Sequence, residues 1–100
     1  MTDKYILKDG VPVLEPDIFA WGEWFITANR RVNFTKVGHS EISTVFLGLD
    51  YSFVRLGNSP VLYETLVFGG SLDGEMDRYS TFEEAVSGHR RMVARVQNQD

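Results

Sequence analysis

The sequence predicts an α+β domain, an antiparallel three- to four-stranded sheet flanked by an N-terminal and a C-terminal helix. Two stretches, residues 18–29 and 82–97, repeat apolar side chains every three or four positions, the period of a helix with one buried face. The stretches between them, residues 31–37, 41–49 and 61–68, are short, rich in β-branched and aromatic residues, and bounded by turn-forming residues. Strands joined as tightly as through Gly38-His39-Ser40 must pair antiparallel, because a parallel pair needs a long crossover. One sheet with both helices packed on it is the economical way to bury such elements.

Tyr5-Ile6-Leu7 reads as a short edge strand, Asp9-Gly10 as a turn, and Val11-Pro12-Val13 as extended chain. Glu15-Pro16-Asp17 opens the first helix, with proline at the first helical position and acids suited to the first turn. Within that helix Ile18, Trp21, Phe25 and Ala28 fall on one face with Trp24 at its edge, while Phe19 and Ile26 take a second side. A helix apolar over more than one stripe is either sandwiched or exposed in part for a partner. Gly22, between the tryptophans, costs about 1 kcal/mol relative to alanine, which points to close packing there.

In residues 41–49, Val45, Leu47 and Leu49 share one face and Ile42, Thr44, Phe46 and Gly48 the other, so a central strand covered on both sides is expected. Residues 61–68 repeat that double-faced pattern, interrupted by Glu64, and Gly69-Gly70 ends it. Residues 50–60 form the longest irregular stretch and carry Tyr51, Phe53, Arg55, Gly57 and Asn58. Asp73-Gly74 turns the chain, and residues 77–79 add a fourth short strand. Ser80 and Thr81 each have a glutamate three residues on, Glu83 and Glu84, so a capping box is available in either register. In the helix that follows, Phe82, Ala85, Val86, His89, Met92, Val93 and Val96 form one stripe with His89 at its centre.

The 100 residues suffice for a single small globular domain with a thin core. The absence of cysteine excludes disulfides, thiolate zinc sites and a thiol nucleophile. Met1-Thr2-Asp3-Lys4 lacks the basic-then-apolar pattern of a signal peptide, and no apolar run approaches the ~20 residues of a membrane span, so a cytoplasmic location is expected. A net charge of −4 weighs against general binding to nucleic-acid backbones. The acids at the start of the last helix and Arg90, Arg91 and Arg95 towards its end complement the helix dipole.

No catalytic motif is present: there is no Gly-x-Ser-x-Gly elbow, phosphate loop or dinucleotide fingerprint. Asp50, Asp73, Glu75 and Asp77, with His39 or His89, have no metal-ligand spacing, so no metal or other cofactor is assigned. His89 is the sharpest chemical candidate. Amid valines, alanine and methionine it either sits neutral in the core, bonded to a strand group such as Thr44, Thr65 or Glu64, or serves as a ligand-binding imidazole at the mouth of a pocket. Glu64 needs solvent or a cationic partner, and a Glu64–His89 pair would orient the imidazole and raise its pKa. Trp21, Trp24 and Phe25, with Tyr51 and Phe53, either fill the core or form a recognition patch. Arg78 is the further interaction candidate, as an anion contact together with Arg90 and Arg91.

The residues 43–50, Ser43-Thr44-Val45-Phe46-Leu47-Gly48-Leu49-Asp50, resemble a group of small uncharacterised bacteriophage and prophage proteins. The likeness extends to Glu64-Thr65-Leu66-Val67-Phe68-Gly69-Gly70, to Asp73-Gly74-Glu75, to the run from Arg78 to His89 and to the first helix. It implies a phage-encoded accessory protein of the host cytoplasm and transfers no catalytic residue. The leading expectation is a non-enzymatic module that binds and modulates a host or phage protein, a defence component among the candidates. A homodimer through the face bearing Phe19 and Ile26 is a second use of the same aromatic helix. The alternative is a small-molecule or nucleotide binder with a pocket between sheet and C-terminal helix near His89.

Overall fold

The computed structural model describes residues 2–52 and 59–99, so Phe53, Arg55, Gly57 and Asn58 of the irregular stretch lie outside the described residues. Strands β1 (Tyr5–Lys8) and β2 (Val11–Leu14) form an antiparallel hairpin in the register Tyr5↔Leu14 and Lys8↔Val11. Asp9 and Gly10 both have positive φ, 51° and 79°, the turn geometry whose twist matches that of the paired strands.

Helix α1 (Ile18–Thr27) begins two residues later than proline alone suggests, because Asp17 takes the N-cap. Its Oδ1 accepts from the backbone N–H of Phe19 at 2.9 Å and of Ala20 at 3.3 Å, satisfying two of the donors that a helix start leaves unpaired.

Strands β3 (Arg31–Val37), β4 (Ser40–Phe46), β5 (Tyr63–Phe68) and β6 (Met76–Tyr79) form a second sheet, in chain order and antiparallel throughout. Helix α2 (Phe82–Gln99) crosses one face of all four strands. The choice of cap resolves to Thr81: its hydroxyl accepts from Glu84 N–H, and the Glu84 carboxylate accepts from the N–H groups of Ser80 and Thr81.

Between α2 and the sheet lie Ile42, Val67, Met92 and Val96 towards one end and Phe46, Leu62, Tyr63, Tyr79 and Ala85 towards the other. The hairpin and α1 close the second cluster. Tyr5 and Leu7 pack against it, and Trp24 meets Phe46 edge-on at 5.8 Å.

The strand alternation is strict: Ile42, Thr44 and Phe46 are buried under α2, and Glu41, Ser43 and Val45 point the other way. The double-sided cover expected from the apolar pattern of β4 and β5 is not formed by the described residues. No described helix or hairpin lies on the outward face of the sheet.

Candidate functional site

His89 projects from the middle of α2 into the sheet. Its Nδ1 is 2.7 Å from Thr44 Oγ1 on β4 and its Nε2 is 2.8 Å from Thr35 Oγ1 on β3. The Thr44 hydroxyl is 2.5 Å from that of Thr65, which in turn accepts from Tyr79 O–H at 3.0 Å. Five polar side chains from α2 and all four strands of the sheet thus form one hydrogen-bonded chain inside the apolar core. Burial lowers the His89 pKa below its ordinary value, because the charged form is denied water.

His89 is 1% exposed, and hydroxyls occupy both ring nitrogens. It is the neutral core histidine, and the pocket expected beside it is filled by its own partners. Of the strand groups weighed for it, Thr44 bonds the ring directly and Thr65 bonds through Thr44. Glu64 does neither, because it lies on the outward face of β5, where its Oε2 accepts from Arg78 Nε at 3.0 Å. Gly88, beside His89, is the place where Tyr79 packs: a β-carbon there would overlap the phenol ring. Thr35, Tyr79 and Gly88 carry as much of this arrangement as His89. Only the alternation of β3, which puts Thr35 and Val37 on the covered side, hints at the first.

The outward face of the sheet gathers the other candidates. Cross-strand register places Phe34, Ser43, Leu66 and Met76 in one row across the four strands. Arg31, Val45, Glu64 and Arg78 form the next row, and Lys36, Glu41 and Phe68 flank the first row on its other side. Phe34, Phe68 and Met76 are all exposed. The Arg31 guanidinium stands 4.6 Å from the Phe34 ring centre. The Arg78 guanidinium stands 4.7 Å from that of Tyr51, beside a depression of about 430 Å³ lined by Thr2, Leu49, Asp50, Tyr51, Ser52 and Arg78. Glu64, Arg78 and Tyr51 are therefore brought together, away from His89.

Trp21 and Trp24 are not on the outer side of α1. Trp21 Nε1 donates to the Gly48 carbonyl at 2.9 Å, and Phe25 stacks on Trp21 and against Gly48. These rings attach the helix to the domain. The large apolar side chains that α1 turns outward are Ile18, Phe19 and Ile26. Ile18, grouped with Trp21 and Phe25 by helical period, belongs with the exposed set.

The acidic residues have structural uses. Asp50 Oδ1 accepts from Ser52 and Val61 N–H, Asp73 Oδ1 accepts from Gly69 N–H, and Glu75 pairs with Arg95 at 2.6 Å. Among the described residues no three His, Asp or Glu side chains converge as metal donors. Among them, too, no helix is long and apolar enough to cross a membrane.

Comparison with models of protein families, with curated proteins and with solved structures gave no match.

Proposed function

We propose that this chain is a phage-encoded, non-enzymatic accessory protein that binds and modulates a host or phage protein through the outward face of its four-stranded sheet. The observation that carries the reading is the Phe34–Ser43–Leu66–Met76 row. A sheet with one face in water normally alternates apolar-in and polar-out. Here the outward positions hold Phe34, Val45, Leu66, Phe68 and Met76. Aromatic residues, methionine and arginine are the types enriched at protein interfaces, and Arg31, Tyr51 and Arg78 border the row. The charges of this face, Arg31, Lys36 and Arg78 against Glu41 and Glu64, nearly cancel, which suits a protein surface better than a phosphate backbone. The small-molecule reading loses its anchor with His89 sealed in the core.

The test is capture of a partner from host lysate on the tagged protein, followed by calorimetry with the purified partner. Phe34→Ser combined with Met76→Ser should weaken binding at least about tenfold while leaving the melting temperature within a few degrees. A partner bound equally well by that variant would refute the assignment of the surface.

A further inference from the structure

Tyr63 is 1% exposed, and its hydroxyl has no hydrogen-bond partner among the described residues. Buried polar groups are nearly always paired, so an orphan hydroxyl calls for a partner from elsewhere. Tyr63 lines a cavity of about 320 Å³ between the β1–β2 hairpin and the start of α2. Val11 and Pro12 stand on the hairpin side, and Ser80, Phe82 and Glu83 on the helix side. That volume lies at the small end of ligand sites. Val11 is 58% and Phe82 48% exposed, so the apolar walls open to solvent.

The lining selects the charge of an occupant. A helix start ordinarily attracts anions, but this one is already served. The Glu84 carboxylate accepts from Ser80 and Thr81 N–H, and the Thr81 hydroxyl accepts from Glu84 N–H. Glu83 adds a second negative charge, which makes no ion pair among the described residues. Burial first, and the Glu83 charge second, raise the Tyr63 pKa, which sets that carboxylate within electrostatic reach of the phenol. Phe82 meets the Tyr63 ring edge-on at 6.4 Å, and an exposed aromatic face beside a carboxylate attracts a cation. The chain does not supply one: Lys8 stands opposite Val11 across the hairpin turn and forms no ion pair with Glu83.

We propose that this cavity binds a primary alkylammonium group, carried by a free amine or by a lysine side chain. The ammonium donates to the Glu83 carboxylate and to the Tyr63 oxygen, and its third N–H faces the Ser80 hydroxyl. Its alkyl stem lies along Val11, Pro12 and Phe82, as lysine stems lie on apolar surface. An anion is repelled by Glu83 and Glu84, and a neutral ligand gains nothing from the Glu83 charge. The site is separate from the outward face of the sheet, because Tyr63 lies on the covered face of β5.

Amide chemical shifts of the isotope-labelled full chain test this. Butylammonium chloride and N-acetyl-lysine methylamide hydrochloride are titrated at neutral pH, each against an equal concentration of sodium chloride. Saturable shifts are expected at Val11, Tyr63, Ser80, Phe82 and Glu83, with dissociation constants on the order of millimolar. Neutral 1-butanol should give none. Glu83→Gln should raise the dissociation constant at least about tenfold, the scale of a lost charge-assisted hydrogen bond. Tyr63→Phe should weaken binding about threefold or more while raising the melting temperature of the free protein, a pairing that a purely structural tyrosine would not give. Tighter binding of the lysine amide assigns the group to a protein side chain, and tighter binding of butylammonium assigns it to a free amine; both support the site. No saturable shift up to about 100 mM, equal shifts with 1-butanol, or binding unchanged in either variant would each overturn the proposal.

Discussion

His89 Nδ1 stands 2.7 Å from the Thr44 hydroxyl, and that contact links the helix layer to the sheet through polar atoms in an otherwise apolar core. With Tyr79 donating to Thr65, the chain runs in one direction when Thr65 donates to Thr44, Thr44 to Nδ1, and Nε2–H to Thr35. In that direction the ring is the neutral tautomer protonated at Nε2.

Thr44→Val is nearly isosteric and removes the central hydroxyl of the chain, leaving Nδ1 without its partner and the Thr65 hydroxyl with Tyr79 alone. The expected loss is about 1–3 kcal/mol, the cost of stranding one buried polar group. Thr44→Ser keeps the hydroxyl and should cost only about 1 kcal/mol for the missing methyl. Urea unfolding of the three proteins decides the matter, and valine equal to or better than serine at this position would show that the chain contributes no net stability.

Acid should loosen the fold through the same residue. Burial depresses the folded pKa of His89 below the ordinary 6.5, so the unfolded chain takes up a proton that the folded one refuses as pH falls through that value. Stability is therefore full above about 6.5 and declines below it, by at most about 1.4 kcal/mol per pH unit for one proton. Melting temperatures measured from pH 8 down to 5.5, before most carboxylates titrate, should show this slope. His89→Gln, which can still donate and accept, should flatten it, and an unchanged slope in that variant would assign the proton elsewhere.

The parts of the fold legible in the sequence are those set by neighbouring residues. Asp9-Gly10 specifies its turn, Thr81 and Glu84 specify the start of α2, and β3 runs over the residues its alternation marks. What depends on distant packing was not legible. The pairing of Thr35 with the buried Ile42 puts it on the side of β3 that faces α2, and so lets it meet His89. Strands apolar on both faces give no sign of which face is covered, so Glu64 could be set opposite His89 when it lies across the sheet from it. Periodicity cannot orient a helix that is apolar over more than one stripe. The indole N–H of Trp21 finds the Gly48 carbonyl, and Phe19 and Ile26 are left outside.

Gly88 is a second fixed point of the same core. A methyl group there would overlap the Tyr79 ring, and that ring is held by Thr65 on one side and by the cluster of Phe46, Leu62 and Tyr63 on the other. Gly88→Ala should raise local helix propensity by about 1 kcal/mol and lose more than that to overpacking, for a net destabilisation of about 1–2 kcal/mol. Adding Tyr79→Leu removes the overlapping atoms, so the double variant should be more stable than the sum of the two single changes predicts. Strict additivity in that cycle would mean that the two side chains do not compete for space.

Tyr63 and Tyr79 pair across β5 and β6 and differ in the fate of one atom. The Tyr79 hydroxyl donates to Thr65, whereas the Tyr63 hydroxyl is buried with no hydrogen-bond partner among the described residues. The Tyr63 ring meets Phe46 at 5.3 Å and Phe82 at 6.4 Å, both edge-on, and phenylalanine would keep those contacts. Burial, aided by the Glu83 charge, raises the Tyr63 pKa, so this hydroxyl enters the core only in its neutral form. Tyr63→Phe removes an unmatched polar group and should stabilise the protein by about 1 kcal/mol. Tyr79→Phe removes a matched one and should destabilise it by about the same amount. Stability falls at high pH for both tyrosines in the native protein, since a raised folded pKa protects only while the unfolded phenol stays protonated, below about 10. Denaturant midpoints at pH 7 for the two variants, compared with the native chain, should move in opposite directions; a shift of the same sign would show that the Tyr63 hydroxyl is satisfied in solution.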